Sequence, residues 1–194
     1  GEGFASVLGS LADLIEMRPD VDADAAAAFE AALGTDLESM VVPSLDTLPD
    51  QSELAVLPGR VAFLPLVGLD GLPTEPVPSL LDAAFGSAFG SALADVRSRL
   101  VSLRSLVRAR AQGEPGTEPS REHETTQRVE DLLDRLLSRV YLVSDMDAAR
   151  LLAAGPLRGC GFVTRAGVVL DATGRVHAGP AGTGEAAGGL LRRR

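Results

Sequence analysis

The sequence predicts an α/β fold of the α+β kind, with two lobes that each hold a small mixed sheet flanked by helices. Three observations carry that reading. Short apolar runs of strand length are bounded by Gly, Pro and Asp turn signals, as in Gly161-Phe-Val-Thr-Arg-Ala-Gly-Val-Val-Leu-Asp-Ala-Thr-Gly-Arg-Val-His177. Between them lie longer stretches whose apolar residues recur every three or four positions, the spacing of an amphipathic helix. A proline-rich stretch, Gly71 to Pro78, divides the chain into residues 1–72 and 79–189.

The elements follow in order. Ser10 is an N-cap before Leu-Ala-Asp-Leu-Ile, a short helix. Asp22 to Leu33 is a second helix, rich in alanine, with Phe29 and Leu33 on one face and Gly34 as its stop. Ser39-Met-Val-Val42 is a short buried strand. Pro49 and Pro58 leave room for at most a short helix before Arg60-Val-Ala-Phe-Leu-Pro65, a strand that Pro65 either ends or makes an edge. Past the break, Leu81, Phe85, Phe89, Leu93, Val96, Leu100, Leu103 and Val107 predict one long amphipathic helix. Gln112 to Glu124 is polar and reads as an exposed, mobile loop. Thr126 to Ser138 is helical, Val140 to Val143 a strand and Asp145 to Leu152 a helix. Phe162 to Thr164 and Val168 to Leu170 form a hairpin about Arg165-Ala-Gly167, and a turn at Asp171 to Gly174 leads to a third strand, Arg175 to His177.

Composition limits the function. The 194 residues are 45% hydrophobic and 23% charged, enough for an ordinary core without staples, but only 4% aromatic with no Trp, so Leu, Val and Ala must build it. Every basic residue is Arg, which with abundant Ala and Gly suggests a GC-rich coding sequence. A net charge of −9 makes a poor general binder of duplex DNA, whose affinity rests on neutralising phosphates. A single cysteine, Cys160, excludes an internal disulfide and suits a reducing compartment. No stretch approaches the ~20 apolar residues that span a bilayer. No signal peptide is expected, and the chain reads as a cytoplasmic domain of something longer.

No catalytic constellation emerges. Gly179-Pro-Ala-Gly-Thr-Gly-Glu-Ala186 comes near a phosphate-binding loop, but Glu185 stands where that loop needs Lys and Ala186 where it needs a hydroxyl. Two histidines, His123 and His177, have no metal-ligand partners at helical or hairpin spacing. Cys160 reads as a small buried hydrophobe. Asp20, Asp22 and Asp24, like Asp145 and Asp147, lie at helix starts, where the dipole favours them. Arg97, Arg99, Arg104, Arg108 and Arg110, and the terminal Arg192-Arg193-Arg194, are the basic clusters. A solvated helix face and the first turn of a coil explain them; a phosphate-contacting patch is the alternative.

Several words of the sequence resemble, in order, those of the hinge domain of SMC (structural maintenance of chromosomes) proteins, with a bacterial source expected. Gly9-Ser-Leu-Ala-Asp-Leu-Ile15 is similar to the hinge opening, Phe29-Glu-Ala-Ala-Leu-Gly34 to its helix end, and Leu37-Glu-Ser-Met-Val-Val42 to its first strand. Gly59-Arg-Val-Ala-Phe-Leu-Pro-Leu66 resembles the family's Gly-Arg-Ala-Thr-Phe-Leu-Pro-Leu, the most specific of these words. Val143-Ser-Asp-Met-Asp-Ala-Ala149 and the glycine-rich closing segment also resemble their counterparts. There are departures: the helix before Gly59 is short and broken by proline, the region from about 79 to 126 is long, and the family's Thr-Gly-Gly stands here as His177-Ala178-Gly179.

The resemblance implies a homodimerisation module of a chromosome condensation and segregation ATPase, without catalytic residues, cofactor or membrane contact of its own. The family's ATPase head would lie at the far end of a coiled coil, outside this chain, and the protein would work in the nucleoid. A strand edge of the C-terminal lobe would pair with the partner's N-terminal lobe, as a β-augmentation. That makes Gly174, Val176, His177, Ala178 and Gly179 the expected interface, with Gly188 and Gly189 beside them. Residues 190–194 would begin the returning coil. In the alternative reading, DNA is contacted by Arg104, Arg108, Arg192, Arg193 and Arg194.

Overall fold

The computed structural model describes residues 6–48, 51–57, 59–67, 91–111, 119–155 and 157–179. Mixed helices and three small sheets make an α+β fold. Strand β1 (Gly9–Ser10) enters the single-turn helix α1 (Leu11–Leu14), followed by β2 (Ile15–Met17). The Asp13 carboxylate accepts from Ser10 N at 3.3 Å and from Ser10 Oγ at 2.7 Å, which fixes this tight entry. Helix α2 (Ala23–Leu33) begins on Asp22, whose Oδ1 accepts from Ala25 N at 2.8 Å, and ends at Gly34.

A 3₁₀ turn (Gly34–Glu38) leads to β3 (Met40–Ser44), and α3 (Gln51–Ala55) precedes β4 (Phe63–Val67). The sheet order is β1-β3-β4, with β3 and β4 parallel. Met40 N donates to Ala62 O at 2.9 Å, so residues 62, 64 and 66 face β3 and residues 63, 65 and 67 face outward. The missing N–H of Pro65 therefore falls on the open side, where a sheet tolerates it.

The expected long helix over 81–107 does not form as one element among the described residues. Helix α4 covers Ser91–Ser98 only; β5 (Val101–Ser102), a 3₁₀ turn (Leu103–Leu106) and β6 (Val107–Ala109) follow. Serine is the physical reason. Ser98 Oγ donates to Asp95 O and Ser105 Oγ to Ser102 O, each at 2.7 Å, and such local bonds compete with a continuing helix. A 3₁₀ turn also satisfies the three-residue spacing of Leu103 and Leu106, both buried.

The loop expected at 112–124 is shorter than that at its far end. Helix α5 runs from Pro119 to Leu137, with Pro at a first position that needs no N–H donor. It presents Val129, Leu132, Leu133 and Leu137 to the core. Beyond it come β7 (Val140–Val143), α6 (Met146–Ala154), β8 (Gly161–Thr164), β9 (Val169–Leu170) and β10 (Val176–His177). These strands lie in a five-stranded sheet of order β10-β9-β8-β7-β5, parallel only between β7 and β8.

That sheet is covered on both faces, as its continuous apolar strands require. One face joins Leu142 and Val163 to Phe29 of α2 and to Leu133 of α5. The same cluster takes in Leu11, Leu14 and Ile15, so chain from both sides of the proline-rich break shares one core. The antiparallel pair β2–β6, with Ile15 opposite Ala109 and Met17 opposite Val107, adds a ladder across the same junction. The other face packs Tyr141, Phe162 and Leu170 against Ala149 and Leu152, with Cys160 buried among them.

Tyr141 is fully buried, and its hydroxyl has no hydrogen-bond partner among the described residues. Burial, helped by the neighbouring Cys160 thiol, pushes its phenol up to about 12. A buried hydroxyl without a partner costs about 1–3 kcal/mol. Tyr141→Phe is therefore expected to stabilise the fold by about 1 kcal/mol, read as a higher urea midpoint with an unchanged slope.

Candidate functional site

Among the described residues, β10 is one outer strand of the five-stranded sheet and β5 is the other. The inner side of β10 is built by a rigid turn from Asp171 to Arg175. Asp171 N donates to Arg175 O at 2.9 Å and Gly174 N to Asp171 O at 3.0 Å. The Asp171 carboxylate accepts from Thr173 Oγ1 at 2.6 Å, Thr173 N at 2.8 Å and Arg175 N at 2.9 Å. These donors, the Thr173 hydroxyl foremost, hold its carboxyl well below the usual carboxylate range. A depressed carboxyl contributes fully above its ordinary range and loses its contribution only as pH falls through the folded value. The turn thus keeps its shape throughout the neutral range.

Register decides which groups point out. Val176 lies opposite Leu170 and His177 opposite Val169. Since Asp171 and Arg175 form a bonded pair, alternation in an antiparallel ladder makes Val169 and His177 the next bonded pair. The N–H and C=O of Val176 are then turned away from β9, and Ala178 lies just past the end of β10. Both residues are exposed, Val176 to 56%. Among the described residues, an apolar side chain and unpaired backbone groups of Val176 thus stand on one short edge, an arrangement proteins usually protect.

Gly174 has φ 88° and Gly179 φ 105°, and an added Cβ at either would meet nothing within 4 Å. Within this chain the need for glycine there is conformational; no neighbour is close enough to demand it. His177 is exposed, with Nε2 at 3.5 Å from Asp171 Oδ2. Of the residues expected at the interface, Gly174, Val176, His177, Ala178 and Gly179 come together on this edge. Gly188, Gly189, Arg192, Arg193, Arg194 and the coil start at 190–194 lie outside the described residues.

A second open edge belongs to β4. Phe63 and Val67 turn their backbone groups outward, and Val67 is 40% exposed. Pro65 O is occupied by Arg135, whose Nη2 donates to it at 2.6 Å. Sequence reasoning had the signal for this edge in Pro65 but could not supply its outward register.

The basic residues are differently placed. Arg104 is clamped between Glu130 and Asp134 and also donates to Val107 O at 3.1 Å. Arg108 pairs with Glu16 at 2.7 Å, and Arg110 Nη2 donates to Ile15 O at 3.3 Å. Carboxylates within the fold offset the charges of Arg104 and Arg108, whereas Arg110 is held by a carbonyl and keeps its charge.

Enzyme chemistry finds no better footing. Among the described residues no group of three His, Cys, Asp or Glu side chains could hold a metal. A cleft of about 550 Å³ is walled by Arg18, Asp20, Asp22, Ser105 and Arg165 with apolar neighbours. The lowered carboxyl of Asp22 is explained by its helix-capping bond to Ala25 N and by Arg165. Among the described residues no helix is long and apolar enough to cross a membrane.

With this geometry in place, comparison with known proteins is informative. Residues 4–153 match the family model of the SMC proteins Flexible Hinge Domain; β8, β9 and β10 lie beyond that match. No curated protein matches the chain. Among solved structures, an asymmetric dimer of the Geobacillus stearothermophilus SMC hinge domain is 22% identical, with a TM-score of 0.61 over 96% of this chain and 62% of that one. The Pyrococcus furiosus SMC hinge domain is 20% identical, with a TM-score of 0.55 over 92% of this chain and 75% of that one. A second Pyrococcus furiosus structure, the hinge with an extended coiled coil, is also 20% identical, with a TM-score of 0.53 over 90% of this chain and 50% of that one. The chain thus spans under two thirds of the Geobacillus chain.

Proposed function

The chain belongs to the flexible hinge domain family of SMC proteins, and from that membership we propose that it joins two copies of itself by β-augmentation at the β10 edge. The single observation that carries this reading is the outward-turned backbone of Val176, unpaired among the described residues, beside an exposed apolar side chain. Added strands gain main-chain hydrogen bonds along such an edge and specificity from the alternate side chains.

The receiving edge is β4 of the second copy. It is the longer of the two edges on the N-terminal side, and Phe63 and Val67 turn their backbone groups away from β3. The other edge, β1, has two residues and enters α1 directly. A two-fold axis would repeat the contact, so that two β10–β4 junctions close a ring. Residues 175–178 of the edge carry no carboxylate, which suits an acidic chain that must still associate with itself.

Residues 1–72 and 79–189 would act as the two lobes of that ring. Coiled-coil arms would extend from the chain ends, with residues 190–194 starting one of them, in a longer SMC ATPase of chromosome condensation and segregation that works at the nucleoid. The hinge itself would bind no cofactor and catalyse nothing. Direct DNA contact is the weaker reading, because Arg104 and Arg108 already serve the fold.

Sedimentation equilibrium over a concentration series tests the proposal. A mass rising to twice that of the chain is expected, with a dissociation constant in the micromolar range or below. A single-chain mass at every concentration overturns it.

A further inference from the structure

We propose that Arg165 is a positioning residue for the β10 edge, pinning the strands that carry it to helix α2; the inference rests on the dimer reading above. Arg165 stands at the tip of the β8–β9 hairpin, 143 residues from its partner. Its Nη1 donates to Asp22 Oδ1 at 3.1 Å and to Oδ2 at 3.0 Å. The same Asp22 Oδ1 accepts from Ala25 N at 2.8 Å, so the carboxylate cannot swing without uncapping α2. Arg165 is thereby held against a fixed anion and not a free one.

The surrounding turn is built to transmit that hold. Gly167 N donates to Thr164 O at 2.9 Å, Thr164 N to Val168 O at 2.9 Å, and Val168 N to Thr164 Oγ1 at 3.2 Å. A methyl group on Gly167 would lie 3.6 Å from Ala31 Cβ, which places the turn directly over α2. Downstream, β9 and β10 have two residues each, and strands this short are marginal without outside support. The Asp171 turn fixes β10 relative to β9. Val169 of β9 packs on the core that includes Phe29 of α2, but that contact is apolar and sets no angle by itself. The Arg165–Asp22 bond adds a directional tie at the hairpin tip.

A ring closed by two contacts needs the angle between its two edges to be right in every chain. The pin therefore acts on association, although neither residue lies on the β10 edge. Its side chains are 50% and 57% exposed, so the bond is open to screening by salt. Association should weaken with ionic strength more than a backbone contact alone would.

The experiment uses the whole chain with Arg165→Glu, which repels Asp22, and Arg165→Lys, which keeps the charge. Amide exchange at Val169 and His177 is measured at monomeric concentration, and the dimer dissociation constant by sedimentation, each at about 0.05 and 0.5 M salt. Arg165→Glu should speed exchange and weaken the dimer about tenfold at low salt, with little further change at high salt. Arg165→Lys should stay within about threefold of the parent, and the parent should approach Arg165→Glu as salt rises. Parent-like exchange and dissociation in Arg165→Glu overturn the pin. If no protein dimerises, the dimer reading fails, and exchange at Val169 and His177 alone still decides whether Arg165 holds the strands.

Discussion

Val176→Pro is expected to abolish association at micromolar concentration while leaving the chain folded. The Val176 N–H points away from β9, so its loss removes no bond from the sheet of the single chain. Proline is tolerated on an edge strand in that setting, and the change in unfolding free energy should stay under about 1 kcal/mol. At the proposed junction the same substitution deletes a backbone donor and sets a ring against the incoming strand. One lost bond of about 1.5 kcal/mol, repeated at both junctions, is about 3 kcal/mol, on the order of a hundredfold in dissociation constant. Sedimentation mass and a urea unfolding curve on the same sample separate the two effects. A dimer of parental affinity would show that β10 is not the augmented edge.

The second large effect concerns the core. Phe29 is fully buried in α2, in the cluster that joins α1 and β2 to α5 and the five-stranded sheet. With an aromatic content of only 4%, few side chains could refill the space. Phe29→Ala should cost about 3–5 kcal/mol through lost burial and the cavity left behind. This is a large fraction of the ~5–15 kcal/mol that holds a domain together. A loss below about 1 kcal/mol would mean that the junction relaxes and that the shared core is less tightly packed than its burial implies. Thermal and urea unfolding both measure it. Amide exchange would also report whether β2 and β6 open together, as a common core requires.

Much of this was legible in the residues. The β8–β9–β10 hairpins were readable because their turns carry Gly167 and Gly174 between short apolar runs. Asp22 and Asp145 announced helices that they do cap, at 2.8 Å in each case. The misreading of the stretch from Val96 to Val107 has a physical cause. A three- and four-residue spacing from Val96 to Val107 fits a helix, but the same spacing is also met by a strand, a 3₁₀ turn and a second strand. Only tertiary partners choose between them: Tyr141 and Leu142 for β5, Ile15 to Met17 for β6. The start of α5 was hidden for a different reason. Its first turns are polar, with no apolar period to read before Val129.

Site residues divide in the same way. The position of the edge was visible in sequence, because glycine and a short strand mark it. The direction of its free backbone groups was not, since that depends on the register with β9. The roles of Arg104, Arg108 and Arg165 were equally hidden, because their carboxylate partners lie 26, 92 and 143 residues away. Pairings at that distance leave no local pattern, and a cluster of arginines looks the same whether it is spent on the fold or free for a phosphate.

Amide exchange at Val176 and Ala178, followed as concentration rises, is the most direct test of the central claim. Both N–H groups should exchange freely in the single chain and become protected as it associates. His177, already bonded to β9, should be protected throughout. Protection that appears at Val176 and Ala178 together with a doubled mass is the expected result. A doubled mass with both amides still exchanging freely would place the contact elsewhere and contradict augmentation at β10.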